Sequence, residues 1–418
     1  MSTDSGAGAG AEDCEALLIS AVQAADTELV RSLLQNDGNQ KVRDQAFCLA
    51  VRSYRGHIAQ LLLHHSADPF PCASDELLPL RDAVESGSPA LFDVLLGDHP
   101  ESELLDMRDL ARHWHETGVE TELRRRTGCQ DAVAWTWVQD DEYNSTNEFT
   151  LGGTTVRDGH GAILTFLEKL LGIRASFEEL MDRALAHPHQ DHTVWGRSAI
   201  QLAERCDQAT WSAAAALRTH PDPSHRLFGA EVLRLTHLFD DSEEDPYAGP
   251  AMDLFIDWSA EETDVAVLTE VLLALGEHGD LRAEAALLPH AGHRDARIRR
   301  QVAHGLSSWS SSPPAFSGDA RTALLRLMTD PDPGVRKTAC YTVAVGQDHD
   351  PVFIDAMVAA LDDTDRLVQL AAVYGLAVRD DERCVEAARV LGPPQGGSPE
   401  EEGYLEAVWR YKWRRDHG

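Results

Sequence analysis

The chain has 418 residues, with 37 Lys plus Arg against 70 Asp plus Glu and a net charge of −33. That balance argues against a nucleic-acid binder and against a protein held on an anionic membrane, because both need a basic face to meet phosphate. Hydrophobic residues make up 43%, enough for packed cores, so the length implies two or three domains or one repeat array.

The opening MSTDSGAGAGAED has neither the basic stretch nor the apolar core of a secretory signal, and residues 1–11 read as disordered. No apolar run is long enough for a membrane helix, so a cytoplasmic protein without a membrane segment is expected. The cysteines Cys14, Cys48, Cys72, Cys129, Cys206, Cys340 and Cys384 are scattered and never spaced C-x-x-C, which reads as free thiols in a reducing compartment. Only Lys41, Lys169, Lys337 and Lys412 are lysines, and this Arg- and Ala-rich style points to a bacterial source of high GC content.

Residues 12–127 repeat a two-helix pattern. Small residues at Ala21, Ala50 and Ala83 lie 29 and 33 residues apart, and each is followed by a leucine-rich stripe such as Ile58, Leu61, Leu62 and Leu63. Small residues let a neighbouring helix approach, and the stripe at i, i+3, i+4 forms the buried face of the second helix. A degenerate fourth unit runs from Leu104 to Arg126, with Ala111 as its anchor. This segment resembles ankyrin repeats: HSAD at 65–68 is similar to the family's finger turn and GHIAQLLL at 56–63 to its second helix, although the T-P-L-H opening is missing.

Residues 128–160 change period. Val133, Trp135 and Trp137 alternate with small or polar residues, the loop DDEYNSTN follows, and then Phe149, Leu151, Gly152-Gly153 and Thr154-Thr155-Val156 lead to Asp158-Gly159. Period two bounded by turn residues predicts a β-hairpin or strand pair at the junction of two repeat regions.

Residues 161–395 carry a second repeat, an acidic or Pro-containing turn followed by a small-residue helix, seen best in DPDPGVRKTACYTVAVG at 330–346 and HPDPSHRLFGAEVLRL at 220–235. Its turn aspartates Asp191, Asp222, Asp264, Asp295, Asp332 and Asp365 are spaced 31, 42, 31, 37 and 33 residues. An Asp there accepts from the first free N–H groups of the next helix, and Pro suits its first turn. Arg299 and Arg336 are placed to reach the aspartate of a neighbouring repeat, a ladder interrupted at Leu268 and Gln369. The segment is similar to HEAT-like, armadillo-type repeats. That resemblance implies an all-α solenoid, ankyrin-like then HEAT-like, with one β insertion, closed at 396–418 by an amphipathic capping helix bearing Tyr404, Val408 and Tyr411.

Chemistry-bearing motifs are sparse. HPHQDH places His187, His189, Asp191 and His192 in one turn, so His189, Asp191 and His192 are the acid/base candidates if the protein is an enzyme. The H-x-H-x-x-H spacing in a loop without Cys does not argue for metal, and no nucleotide or phosphate motif is present, so neither metal nor cofactor is expected. Trp135, Trp137, Tyr143, His187 and Trp195 are the candidate binding residues. The expected function is a repeat scaffold that holds a protein partner, of basic character, in an acidic concave groove. The alternative is a cofactor-independent enzyme of lyase, dehydratase or cyclase type, acting on a small molecule in a pocket between the repeat regions.

Overall fold

The computed structural model describes residues 7–35, 39–53, 55–65, 80–97, 99–241, 246–307, 316–346, 348, 350–395 and 398–417. Its chain divides into two compact units, 1–205 and 206–418.

The first unit opens with helix pairs: α1 (Ala7–Ala24) and α2 (Thr27–Leu34), α3 (Gln40–Arg52) and α4 (Gly56–His64), α5 (Leu80–Ser86) and α6 (Pro89–Leu95), α7 (Glu101–Thr117) and α8 (Val119–Thr127). The helix α1 begins inside the stretch 1–11 read as disordered, of which residues 1–6 lie outside the described residues. The turn at 66–68 of HSAD lies outside them too. Ala21, Ala50, Ala83 and Ala111 are all buried, with Val30, Ile58, Leu62 and Leu91 in the same core. The small positions therefore sit where helices approach, and the leucine stripes fill the space between them. The Arg124–Arg126 run is not a free basic spot: Arg125 and Arg126 both bond the buried Glu122, and Arg126 lies 4.5 Å from the Trp114 ring centre.

A three-stranded antiparallel sheet follows, β1 (Ala134–Gln139), β2 (Ser145–Leu151) and β3 (Thr154–Arg157), in the order β1-β2-β3. The expected strand pair gains a third strand because Gly152 and Gly153, at φ +58° and +81°, close a tight two-residue hairpin between β2 and β3. One face carries Phe149, Leu151 and Val156 against Trp114, Val119 and Leu123. The other is polar, with Arg157 Nε donating to Glu148 at 3.2 Å and the hydroxyls of Thr150 and Thr155 bonded at 2.9 Å.

At the end of β1, buried Asp140 accepts from Ser88 Oγ at 2.6 Å, Ala90 N at 2.9 Å and Arg157 Nη1 at 2.9 Å, which ties the sheet to the α5–α6 corner. The same corner meets the strand exit, where Gly159 N donates to Gly87 O at 3.0 Å. The helices α9 (His160–Leu170), α10 (Phe177–Leu185) and α11 (Thr193–Ala203) complete the first unit. The sheet and the first HEAT-like turn thus share one unit.

The second unit is entirely helical among its described residues: α12 (Gln208–Ala216), α13 (Pro223–Phe239), α14 (Ala248–Glu261), α15 (Val265–Glu277), α16 (Arg282–Leu287), α17 (Ala296–Gly305), α18 (Gly318–Leu327), α19 (Pro333–Val345), α20 (Pro351–Ala360), α21 (Arg366–Val378), α22 (Arg383–Leu391) and α23 (Pro399–His417), with short 3-10 turns at 217–219 and 288–292. The odd-numbered helices α13 to α23 pack in succession. Five of them start on a capping aspartate, Asp222, Asp264, Asp295, Asp332 and Asp365, whose side chains accept from the first backbone N–H groups. Helix α23 buries Tyr404, Val408 and Tyr411. Cys129, Cys206, Cys340 and Cys384 are free, whereas Cys48 is disulfide-bonded, which corrects the expectation of free thiols throughout.

Candidate functional site

The residues singled out in β1 and in HPHQDH meet in the first unit. Ser145, at the start of β2, donates its N–H to Asp191 O at 2.8 Å and forms a parallel bridge with His192. This backbone pairing brings the turn against the sheet. The Trp137 ring then lies 4.9 Å from His189 and 5.8 Å from His192, centre to centre.

His192 is 1% exposed and is the N-cap residue of α11. Its Nδ1 accepts from Val194 N at 3.2 Å, so Nε2 carries the proton and donates to Asp158 Oδ1 at 2.9 Å. Asp158 Oδ1 also accepts from Thr146 Oγ1 at 2.6 Å and Asn147 N at 2.9 Å, and Oδ2 accepts from Asn147 Nδ2 at 2.9 Å. Burial alone would raise the Asp158 carboxyl, but the bond from His192, the charges of the two histidines and the Thr146 hydroxyl hold it well below the usual carboxylate range. His187 stacks on His192 with ring centres 3.9 Å apart, and burial together with that neighbour pushes its ring down to about 4.

One expectation is corrected here. Asp191 does not cap the following helix: His192 occupies the position that Asp222 and Asp295 fill in later turns, and Asp191 contributes its carbonyl to the sheet instead. His189, Asp191 and His192, the acid/base candidates, sit in different settings. His189 and Asp191 are exposed, with Nδ1 and Oδ2 3.7 Å apart, and both His192 nitrogens are already committed. Trp195, expected to bind, is wholly buried in the α11 core. Trp135, Trp137 and Tyr143 remain at the surface, 66%, 40% and 82% exposed.

Asp158, His187 and His192 offer three potential ligand atoms within 4.8 Å of one another. An ion there would compete for His192 with its bond to Asp158 or with its capping bond to Val194 N. The ring stacking needs no ion to explain it, because His220 and His225, at the same five-residue separation in HPDPSH, stack at the same 3.9 Å. Asp158, Thr146 and Asn147 were not foreseen as partners of the turn. The Asp-Gly at the strand end marked a stop in the sequence, but nothing local linked it to histidines about thirty residues away.

No protein-family model and no curated protein matches the chain. Among solved structures, a Kap121p mutant shares 12% identity at TM-score 0.52 and aligns with 96% of this chain, which spans 46% of that protein's length. A HEAT-like repeat protein of the archaeon Thermococcus onnurineus NA1 shares 16% identity over 57% of this chain and 98% of its own, at TM-score 0.37. YibA of Escherichia coli shares 16% over 56% and 93%, at TM-score 0.41. Nothing in these likenesses supports the ankyrin resemblance of residues 12–127. The Kap121p likeness, with the aspartate-capped helix pairs, supports the fold alone: an all-α repeat architecture carrying one small sheet.

Proposed function

We propose that this protein is a non-catalytic scaffold that binds a protein partner, and that β1 is a principal contact. The carrying observation is the character of that strand. Ala134–Gln139 is an edge strand of sequence AWTWVQ with no charge and no proline, exposed along nearly its whole length, and no described strand pairs with its outer side. Exposed edges of this kind invite strand pairing and are normally blunted by charge, bulges or cover. Two tryptophans on one face add the large, rigid contact area that dominates binding hot spots. A net charge of −33 steers a basic partner toward the molecule and repels an acidic one, in keeping with an acidic binding groove. The enzyme alternative loses its support where the HPHQDH side chains are either solvated or locked.

Trp135→Lys places a charge on the edge at an exposed site and leaves the fold intact. Affinity capture from the host, quantified at rising salt, should then recover a basic protein with the native chain and lose it with the variant. Capture that survives Trp135→Lys, or that ignores salt, overturns the proposal.

A further inference from the structure

The β1–β2 turn forms one wall of a second feature, a cleft of about 710 Å3 in the first unit. Asp141, Glu142 and Tyr143 come from the turn, His57 and Gln60 from α4, and Asp93 from α6. Two of its lining residues carry a buried polar atom with no hydrogen-bond partner among the described residues, His57 at Nε2 and Asp93 at Oδ1. His57 is only 8% exposed, so its orphaned nitrogen is not simply left to bulk water. Unsatisfied buried groups are costly and rare in native folds, and each asks for a partner that the polypeptide does not supply.

Charge decides what that partner is. Arg31 lies 3.6 Å from Glu142, and Arg197 Nη2 donates to Asp93 Oδ2 at 3.1 Å. Asp141 has no cationic partner among the described residues; its oxygens accept from Tyr143 N, Asn144 N and the Asn144 amide. An anion entering here would face the bare Asp93 Oδ1 and the uncompensated Asp141. A cationic donor finds an acceptor in Asp93 Oδ1, an exposed Tyr143 ring for a cation–π contact, and Leu61 and Val94 for an alkyl stem.

We propose that this cleft binds an alkyl ammonium or alkyl guanidinium group, carried by a small diamine-like molecule or by a Lys or Arg side chain of a protein. The inference stands apart from the edge-strand reading, because none of the β1 strand residues lines the cleft.

The probe is agmatine, titrated into the full chain by calorimetry and by thermal unfolding, with n-butanol and butyrate as neutral and anionic controls. Agmatine should bind saturably and raise the melting temperature, with neither control doing so, and the carbon-13-labelled His57 ring signal should move. Asp93→Asn, nearly isosteric, should weaken agmatine about tenfold, or about 1.4 kcal/mol. Tyr143→Ala, at a surface position that cannot unfold the chain, should weaken it about threefold by loss of the ring contact. A second arm replaces agmatine by acetyl-Gly-Arg-Gly-amide: binding at least as tight assigns the site to a protein side chain, and binding of agmatine alone assigns it to a free cation. Butyrate binding as well as agmatine, an Asp93→Asn variant that responds like the native chain, or no saturable binding of either cation overturns the proposal. Trp135→Lys should leave agmatine binding unchanged, so failure here and failure of the scaffold reading are separable.

Discussion

Arg299 grips Asp330 side-on, Nε to Oδ2 and Nη2 to Oδ1 at 2.7 Å each, while its Nη1 donates to its own turn at His293 O, 2.8 Å away. The same fork joins Arg336 to Asp363 and Arg226 to Glu262. In every case the arginine stands four residues after one capping aspartate, and the acid two residues before the next. The acids use the same carboxylate to accept the N–H of that next cap, as Asp330 does from Asp332 N at 2.9 Å. One carboxylate therefore shapes its own turn and clamps the preceding repeat. Where the arginine is replaced by Leu268, the acid position of the following turn is His293, whose Nδ1 accepts from Asp295 N at 3.1 Å.

That substitution pattern is a prediction. Arg299→Leu leaves a nearly buried carboxylate without its cation and should cost about 3 kcal/mol in urea unfolding. Adding Asp330→His recreates the Leu268 and His293 arrangement and should recover most of the loss. A double variant no better than Arg299→Leu alone would mean that the histidine turn is not an equivalent solution.

Stability should rise with pH between about 4 and 6.5. Burial pushes the His160 ring down to about 3 and the His187 ring down to about 4. Both folded values lie below the unfolded value near 6.5, so the unfolded chain binds more protons in that window, and acidification favours unfolding. The stabilisation from the neutral rings is complete above pH 6.5 and is lost as pH falls toward the folded values. Below about 4.5, Glu122 adds a loss of the same sign, since Arg125 and Arg126 hold its carboxyl at about 2. His160→Phe keeps the stacking on Trp114, whose ring centre is 4.8 Å away, and should flatten the upper part of the profile. Urea midpoints at pH 4, 5 and 7 for the two chains measure it.

Two glycines of positive φ should respond differently. At Gly87, φ is +67° and a β-carbon would sit 1.9 Å from Arg157 O and 2.6 Å from the His160 ring, so Gly87→Ala should cost more than about 3 kcal/mol and loosen the sheet from α5. At Gly118, φ is +80° and ψ 139° but nothing lies within 4 Å, so Gly118→Ala should cost only the backbone strain of about 1–3 kcal/mol. Thermal melts of both variants compare the two terms directly.

The repeats were legible in sequence because their signals are local. A capping Asp at 222, 264, 295, 332 and 365 acts on N–H groups two or three residues away, and the Arg299 and Arg336 ladder follows from the period. The strands of 134–157 were legible from alternation and from Gly152-Gly153. The candidate site was less so, because its bonds join distant segments. Asp158 serves a histidine 34 residues later, and Asp140 serves Ser88, 52 residues earlier. Trp195 illustrates the limit from the other side: its type suggested a binding surface, but its place in the first turn of α11 turns it into the core.

The two histidines that flank Asp191 should separate cleanly on mutation. Turn histidines are usually solvated, and on sequence grounds both alanine variants would fold normally. His189 meets that description: it is 62% exposed, its ring rests on Trp137, and its Nδ1 accepts only a long 3.3 Å bond from Asp191 N. His189→Ala should change stability by less than about 0.5 kcal/mol. His192 does not. Its loss removes the acceptor for Val194 N, a cap interaction of about 1 kcal/mol. It also takes one donor from Asp158, whose other bonds hold the β2 strand at Thr146 and Asn147, and a weakened buried carboxylate site adds about 1–3 kcal/mol. His192→Ala should therefore destabilise by about 2–4 kcal/mol, and hydrogen exchange should quicken at Ser145 and Val194 before it does in α13 to α21. His192→Asn keeps a short polar cap but cannot span to Asp158, so it should recover the capping part alone. Equal melting temperatures for His189→Ala and His192→Ala would show that the link between the turn and the sheet carries no stability.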